Sequence, residues 1–323
     1  MGNQKVMSLT STISRIKGAL LSKKSSAYFG MLMIGLGPIG RILDSVLLKH
    51  FAKTKQLTDI PPTILIVSPP RSGSTITYQV LSRLIPCVYY TNLHAVLPKY
   101  ASTYLLKNDA FGKVKGFNNY YGYSAGWNDV NEGNDVVSSF FDGAKDKTEI
   151  RQRFLNFSSD LGASNERPLI FKNVRNYYQI DKLIEAVPEI IILRVKRDIE
   201  QIIQSEVKGF KELKSFHPIP PELEGLQYKL KPTIFATKQI VSLEKRLDEQ
   251  RDQLQFANWI ETTYESFCKD PKGICNSLLK KLNPDLQLRD LEFKLNASYT
   301  KKVSDTQAKE IQDELKSLNY EGT

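Results

Sequence analysis

Pro69-Pro70-Arg71-Ser72-Gly73-Ser74-Thr75 places one cation, three hydroxyls and a glycine in a single turn. Each has a use at an anion. Glycine lets the backbone approach without a Cβ in the way. Ser72, Ser74 and Thr75 supply O–H donors, and Arg71 a charge-assisted fork. If the turn also opens a helix, the unpaired N–H groups and the positive dipole end add to the same pull. The order of residues differs from that of a nucleoside triphosphate loop, GxxxxGK[ST]. Ser68 stands where the first glycine of that loop would be and Ser74 where its lysine would be, and the basic residue precedes Gly73.

Such a turn needs a rigid edge to hang from. Thr63-Ile64-Leu65-Ile66-Val67, entered through Pro61-Pro62, is apolar and β-branched, as suits a strand buried on both faces of a parallel sheet. Ile76–Ile85 then predicts a helix ended by Pro86. The unit recurs. Pro168–Phe171 predicts a second strand, 177–187 a helix, and Ile190–Leu193 a third strand. Asp198 suits the N-cap of a helix that Gly209 would close. Alternating strands and helices specify an α/β fold, a parallel β-sheet flanked by helices. Lys172 ends the second strand at the edge where ligands of open α/β sheets sit, which makes it a second candidate cation for the site.

Between the first two strands, Asn118–Tyr123 and Gly126-Trp127-Asn128 mix aromatic and polar side chains, as suits a substrate-facing insertion or an anchored surface loop. Residues 210–232, with four prolines, predict an irregular crossover or lid. Thr233–Phe267 predicts one long helix, Ile274–Leu282 an amphipathic one, and 305–323 a polar, peripheral tail.

Composition sets outer bounds. The 323 residues, 41% apolar and 25% charged, suit a soluble globular enzyme, and a net charge of +10 favours anionic partners. Cys87, Cys268 and Cys275 form no Cys-x-x-Cys pair, which argues against a zinc site, and their odd, sparse count argues against a disulfide framework. Three histidines, His50, His94 and His217, are too few and wrongly spaced for a metal site. The N-terminal uncharged run Phe29–Gly40 is shorter than the roughly 20 residues of a spanning helix. Residues 27–52 predict an amphipathic or buried helix broken near Gly37-Pro38, with Lys17, Lys23 and Lys24 ahead of it, a pattern compatible with peripheral membrane contact. The expectation is a cytoplasmic, membrane-peripheral protein. The sequons at Asn156 and Asn296 leave a lumenal, singly anchored one open.

The basic residue ahead of Ser-Gly-Ser-Thr, directly after a β-branched strand, resembles the 5′-phosphosulfate loop of sulfotransferases dependent on 3′-phosphoadenosine 5′-phosphosulfate (PAPS), and the chain is similar to their bacterial-type members. The resemblance covers roughly residues 60–285. In that family an arginine at a strand end and a serine eight positions on read the 3′-phosphate. Arg197 and Ser205 match, with Ile199 where the family often has proline. The spacing has a reason: a helix begun at Asp198 carries Ser205 about two turns along, where its hydroxyl can face the same anion. Tyr264-Glu265-Ser266-Phe267 and Asp270-Pro271 resemble the family's C-terminal scaffold stretch, and Asn131-Glu132-Gly133-Asn134 its substrate-side loop.

The resemblance implies a P-loop-like sulfotransferase domain over 59–323, behind an N-terminal helical segment 1–58. It implies PAPS as co-substrate, no metal, and a hydroxyl or amine acceptor on a glycan, lipid or small molecule. The expected nucleotide site is Arg71, Ser72, Gly73, Ser74, Thr75, Arg197 and Ser205; Glu132 and Asn134 are expected on the acceptor side. Arg71 and Lys172 would neutralise the leaving phosphate. In the family a Glu or His often acts as the base, and in its glycan and protein-tyrosine branches a Glu commonly lies a short helix beyond the loop. Here His94 is the titratable residue of Thr91-Asn92-Leu93-His94, with Glu132 in reserve. Three rivals remain. A P-loop kinase or NTPase would need a lysine after Gly73 and an acidic strand end. A nucleic-acid binder rests on charge alone. A Rossmann dehydrogenase rests on Gly35-Leu36-Gly37-Pro38-Ile39-Gly40, which no bounded strand precedes.

Overall fold

A computed structural model of the protein describes residues 25–47, 56–114, 116–117, 119–120, 122–254, 258–297 and 302–320. In chain order the helices are α1 (Ser25–Leu47), α2 (Ser74–Leu84), α3 (Asn92–Val96), α4 (Tyr100–Lys107), α5 (Asn134–Phe141), α6 (Lys147–Leu161), α7 (Ile180–Ala186), α8 (Ile199–Leu213), α9 (Pro232–Leu254), α10 (Tyr264–Lys269), α11 (Pro271–Leu282) and α12 (Asp305–Ser317). The strands are β1 (Thr63–Val67), β2 (Asn119–Tyr120), β3 (Tyr123–Ser124), β4 (Leu169–Lys172), β5 (Ile191–Lys196) and β6 (Trp259–Thr263).

Four strands form a parallel sheet in the order β4-β1-β5-β6. Ile64 of β1 stands between Ile170 of β4 and Ile191 of β5. Every residue of β1 and β4 is buried, which is why both read as unbroken apolar runs rather than alternating ones. From β1 the chain moves to one neighbour, β4, then crosses to the other, β5. The order therefore reverses between β1 and β5, and the crevice outside their carboxyl ends is where such sheets take ligands.

Four expectations are corrected. The 233–267 segment is not one helix: α9 ends at Leu254, and Trp259–Thr263 is the edge strand β6, paired along β5. Pairing overrides the charged pattern, because Glu261 reaches Arg194, a fully buried arginine in β5 that also binds Asp248 at 2.6 Å and the Glu244 carboxylate of α9. Gly209 does not close α8. The helix runs on to Leu213, with Phe210 stacked on Phe216 at 4.4 Å, and ends at Lys214, whose φ of 54° takes the left-handed capping role. The tail is not merely peripheral, since Ile311 and Leu315 of α12 are buried and Lys238 of α9 pairs with Glu314 at 2.7 Å.

The fourth correction concerns α1, which is not broken at Gly37-Pro38 but runs unbroken from Ser25 to Leu47. Its neighbours hold both halves. Gly30 meets Tyr123, and a Cβ at Gly40 would come 2.3 Å from the Val96 carbonyl oxygen. The buried Asp44 carboxylate accepts the backbone N–H groups of Lys99 and Tyr100 at the start of α4, the latter at 2.8 Å, where the N-cap residue offers no side-chain cap. The Gly-x-Gly-x-x-Gly string thus lies inside a helix and has no dinucleotide-binding turn. His50, Asn118, Tyr121, Lys17, Lys23, Lys24 and Ser298 lie outside the described residues.

Candidate functional site

The turn after β1 does open a helix. Gly73 is the N-cap of α2 with φ 98°, and no side chain caps the helix, so its first N–H groups face outward unclaimed by a cap. A Cβ on Gly73 would come 2.2 Å from the Tyr264 ring. Arg71 also has a left-handed φ, 71°. Its Nε donates to Ser205 Oγ at 3.2 Å, and its carbonyl accepts from Arg197 Nη1 at 3.4 Å. The two strand ends therefore touch: the loop after β1 and the arginine–serine pair after β5 enclose one space at the topological switch.

That space is a cleft of about 390 Å³. Arg71, Gly73, Ser74, Thr75, Glu132, Asn134, Lys172, Arg197 and Ser205 all line it. Ser72 does not line it but is fully buried just beneath, and its Oγ has no partner among the described residues. Asp198 caps α8 by accepting the Gln201 N–H at 2.8 Å, which sets the phase that turns Ser205 toward the cleft. Arg197 lies over the Tyr264 ring at 4.6 Å and 3.8 Å from Glu265. Tyr264, read from sequence as scaffold, thus forms part of the wall and holds the cation in place.

At the opposite end, Lys172 extends from β4 into a buried position. It donates to Thr75 Oγ1 at 3.2 Å and pairs with the Glu132 carboxylate. Asn134 Nδ2 donates to Glu132 Oε2 at 3.2 Å, and Gly133, at φ 57°, turns the chain between them. Asn119, Gly122 and Tyr123 of the hairpin β2–β3 and Ala27 and Gly30 of α1 complete this side. The Tyr–Asn–Gly insertion is therefore a wall of the cleft.

His94 is elsewhere. It is fully buried and absent from the cleft lining. Its Nδ1 accepts the Thr91 backbone N–H at 3.0 Å in a capping box that starts α3, and its Nε2 lies 3.0 Å from Ser102 Oγ. Burial pushes its pKa down to about 3. It is a neutral structural imidazole, and the base assignment to His94 is corrected on that ground. Glu132, Glu206 and His217 are the carboxyl and imidazole groups that do reach the cleft.

Two cleft residues carried no signal in the sequence. Lys302, far along the chain, lines the cleft among Arg197, Arg71 and Lys208. Burial, and then those cations, pull its ammonium down to about 8. Glu206, next to Ser205 and buried, is pushed up to about 7 by desolvation, with Arg71 opposing. Three cations at one end, a cation–carboxylate pair at the other and uncapped N–H groups between them suit a ligand with two separated anionic groups. No helix among the described residues is long and apolar enough to cross a membrane.

Comparison with known proteins agrees with this geometry. The fold is shared with the sulfotransferase STF1 of Mycobacterium tuberculosis H37Rv, at a TM-score of 0.50 and 13% identity over 84% of this chain and 82% of that one. In sequence, 146 residues are 28% identical to the omega-hydroxy-beta-dihydromenaquinone-9 sulfotransferase Stf3 of Mycobacterium bovis, and to its counterpart in Mycobacterium tuberculosis. That match takes in 45% of this chain but only 35% of each relative, so the chain spans about a third of the length of the relatives it matches. The family model described as the sulfotransferase family matches residues 62–287, which take in β1 through α11 and nearly all of the cleft. The chain belongs to the sulfotransferase family.

Proposed function

We propose that the protein transfers a sulfuryl group from PAPS to a hydroxyl or amine acceptor. The observation that carries this reading is the contact of Arg71 with both Ser205 and Arg197, which joins two anion-binding strand ends in one cleft. The amides at the start of α2, with Ser74 and Thr75, would hold the 5′-phosphosulfate. Arg197, Ser205 and Lys302 would hold the 3′-phosphate. The Gly73 position, closed to any Cβ by the Tyr264 ring, keeps this loop close against the wall that carries Arg197. Residues 59–323 would form this catalytic unit, with 1–58 appended to it.

In the transfer, the acceptor oxygen or nitrogen bonds to sulfur as the sulfur–oxygen bond to the 5′-phosphate breaks. The bonding pair leaves with adenosine 3′,5′-bisphosphate. Lys172 Nζ, beside Thr75, offers charge to that departing oxygen. Glu132, two residues from Asn134 and open to the acceptor side, takes the acceptor proton. These cations supply the neutralisation that Mg²⁺ gives a kinase.

A thermal-shift comparison followed by a transfer assay tests this. Adenosine 3′,5′-bisphosphate is expected to raise Tm, ATP·Mg²⁺ to leave it unchanged, and Arg71→Ala to abolish the response. Label from PAPS is expected on a member of a glycan, lipid and small-molecule panel with the natural protein, and on none with Glu132→Gln. Stabilisation by ATP·Mg²⁺ without any by adenosine 3′,5′-bisphosphate refutes the reading.

A further inference from the structure

We propose that α1 is an interfacial helix that docks the protein on an anionic lipid surface. The two faces of α1 differ in kind. The inner face is made of small or capping residues, Ala27, Gly30, Gly40 and Asp44, all buried against α3, the start of α4 and the hairpin β2–β3. The outer face is a stripe of large apolar side chains. Leu32, Ile39, Leu43 and Val46 are 48–57% exposed, with Tyr28 and Ile42 exposed along the same side. Their spacing keeps them on one line of a helix, and from Tyr28 to Val46 that line is about 27 Å long. Six of the ten large hydrophobic residues that stand exposed among the described residues belong to this one helix. A contiguous exposed stripe of this kind marks a contact surface.

Charge chooses the occupant. Residues 1–58 contain nine basic residues (Lys5, Arg15, Lys17, Lys23, Lys24, Arg41, Lys49, Lys53 and Lys55) against one acid, Asp44. That is a net +8, so eight of the chain's ten net positive charges belong to under a fifth of its length. Asp44 is buried as the cap of α4 and takes no part at the outer surface. Basic segments before and after an apolar stripe satisfy both halves of an anionic bilayer, headgroups by charge and acyl chains by the stripe. A second copy of this chain would bring its own +8 to the contact and is disfavoured by it. A nucleic acid would answer the charge and leave the stripe in water. The helix lies along the surface and does not enter it end-on, because its inner face is fastened along its length.

The test is flotation of the full chain with vesicles, without nucleotide or acceptor, so its outcome is independent of the transfer chemistry. With phosphatidylcholine vesicles containing one quarter phosphatidylglycerol, the natural protein is expected to float, and with pure phosphatidylcholine to bind at least tenfold more weakly. Leu32→Gln/Ile39→Gln/Leu43→Gln/Val46→Gln should lose at least tenfold in binding to the anionic vesicles, with an unchanged melting response to adenosine 3′,5′-bisphosphate to show that the fold is intact. Lys23→Glu/Lys24→Glu/Lys49→Glu should lose binding without any change on α1 itself. Equal flotation of the natural chain and the quadruple variant overturns the proposal. So does a natural chain that stays with the soluble fraction but is dimeric by light scattering where the variant is monomeric, which would assign the stripe to a second copy.

Discussion

Lys302 should make nucleotide binding depend on pH above neutrality in a way that can be computed from its position. Its ammonium is held at about 8, against 10.5 for an ordinary lysine, by burial and by the cations Arg197, Arg71 and Lys208. At pH 7 about nine in ten molecules then carry the charge, and at pH 9 about one in ten. A phosphate dianion set between Arg197 and Lys302 removes the repulsion and restores at least the ordinary lysine value, so binding at pH 9 must first take up a proton. The sign follows. A depressed lysine loses its charge as pH rises through 8, and affinity falls with it. The Kd for adenosine 3′,5′-bisphosphate should rise about tenfold between pH 7 and pH 9 at low salt. Because Lys302 is only half-buried, physiological salt should reduce that to about threefold. Isothermal titration in two buffers of different ionisation heat reads both quantities, and uptake should approach 0.9 proton per site at pH 9. Lys302→Met should bind about 10- to 100-fold more weakly at pH 7, the usual cost of a lost charge-assisted contact, and lose most of the slope above pH 8. A natural protein with the same Kd at both pH values, or a Lys302→Met variant with an undiminished slope, would refute the reasoning.

Two further outcomes follow from the same cleft. Glu206 is a buried carboxyl raised to about 7, so the native state holds its proton more tightly than the unfolded chain does. Stability from this group is complete below about pH 4.5 and is lost as pH rises through 7. Glu206→Gln should therefore be more stable than the natural protein at pH 8, by at most about 3 kcal/mol or about 4 °C in Tm, with the difference gone near pH 4.5 in parallel thermal melts. Gly73→Ala places a Cβ 2.2 Å from the Tyr264 ring at a φ of 98°, so it should lower Tm by a few degrees. It should also weaken adenosine 3′,5′-bisphosphate binding more than tenfold, because Tyr264 is the ring that Arg197 rests on; a calorimetric Kd within twofold of the natural protein's would count against that coupling.

What could be read from the sequence was what local chemistry decides. β1 and its turn were legible because a fully buried parallel strand leaves an unbroken β-branched run and the turn that opens the next helix holds Gly73 at φ 98°. Arg197 and Ser205 were legible only through the family resemblance, since an arginine and a serine eight residues apart carry no signal by themselves; the Asp198 cap supplies the phase that turns Ser205 to the cleft. What failed was decided by tertiary contact. β6 is an edge strand whose residues are half-buried or exposed, and its Glu261 answers Arg194 on β5, so its pattern blends with the charged helix before it. Pro38 predicted a break in α1, yet Gly30, Gly40 and Asp44 fasten the helix on both sides of it. His94 occupies a plausible place along the chain for a base, but the Thr91–His94 capping box is a local motif that consumes the imidazole. Lys302 belongs to no motif and enters the cleft only because the chain past α11 returns across α8, where its backbone N–H meets Gln204 at 3.2 Å.

The same contacts explain how this site gathers so much like charge. Arg71, Arg197 and Lys302 converge at one end, and Arg71 sits at a φ that costs a non-glycine residue about 1–2 kcal/mol. Neutral groups share in holding them, Ser205 on Arg71 and the Tyr264 face on Arg197, with the Glu265 carboxylate 3.8 Å from Arg197, and the Lys302 ammonium gives up its proton more readily. Glu206 sits beside Arg71 as a reserve of negative charge whose ionisation burial discourages. The arrangement therefore stores repulsion that a phosphate relieves, and the relief adds to the affinity for anions without any new contact being formed. On the proposed assignment it also couples the two ends of the cleft. Arg71, from the loop after β1, bonds Ser205, and Arg197, from the end of β5, bonds the Arg71 carbonyl, so an anion that fills either end would steady the other across the switch between β1 and β5.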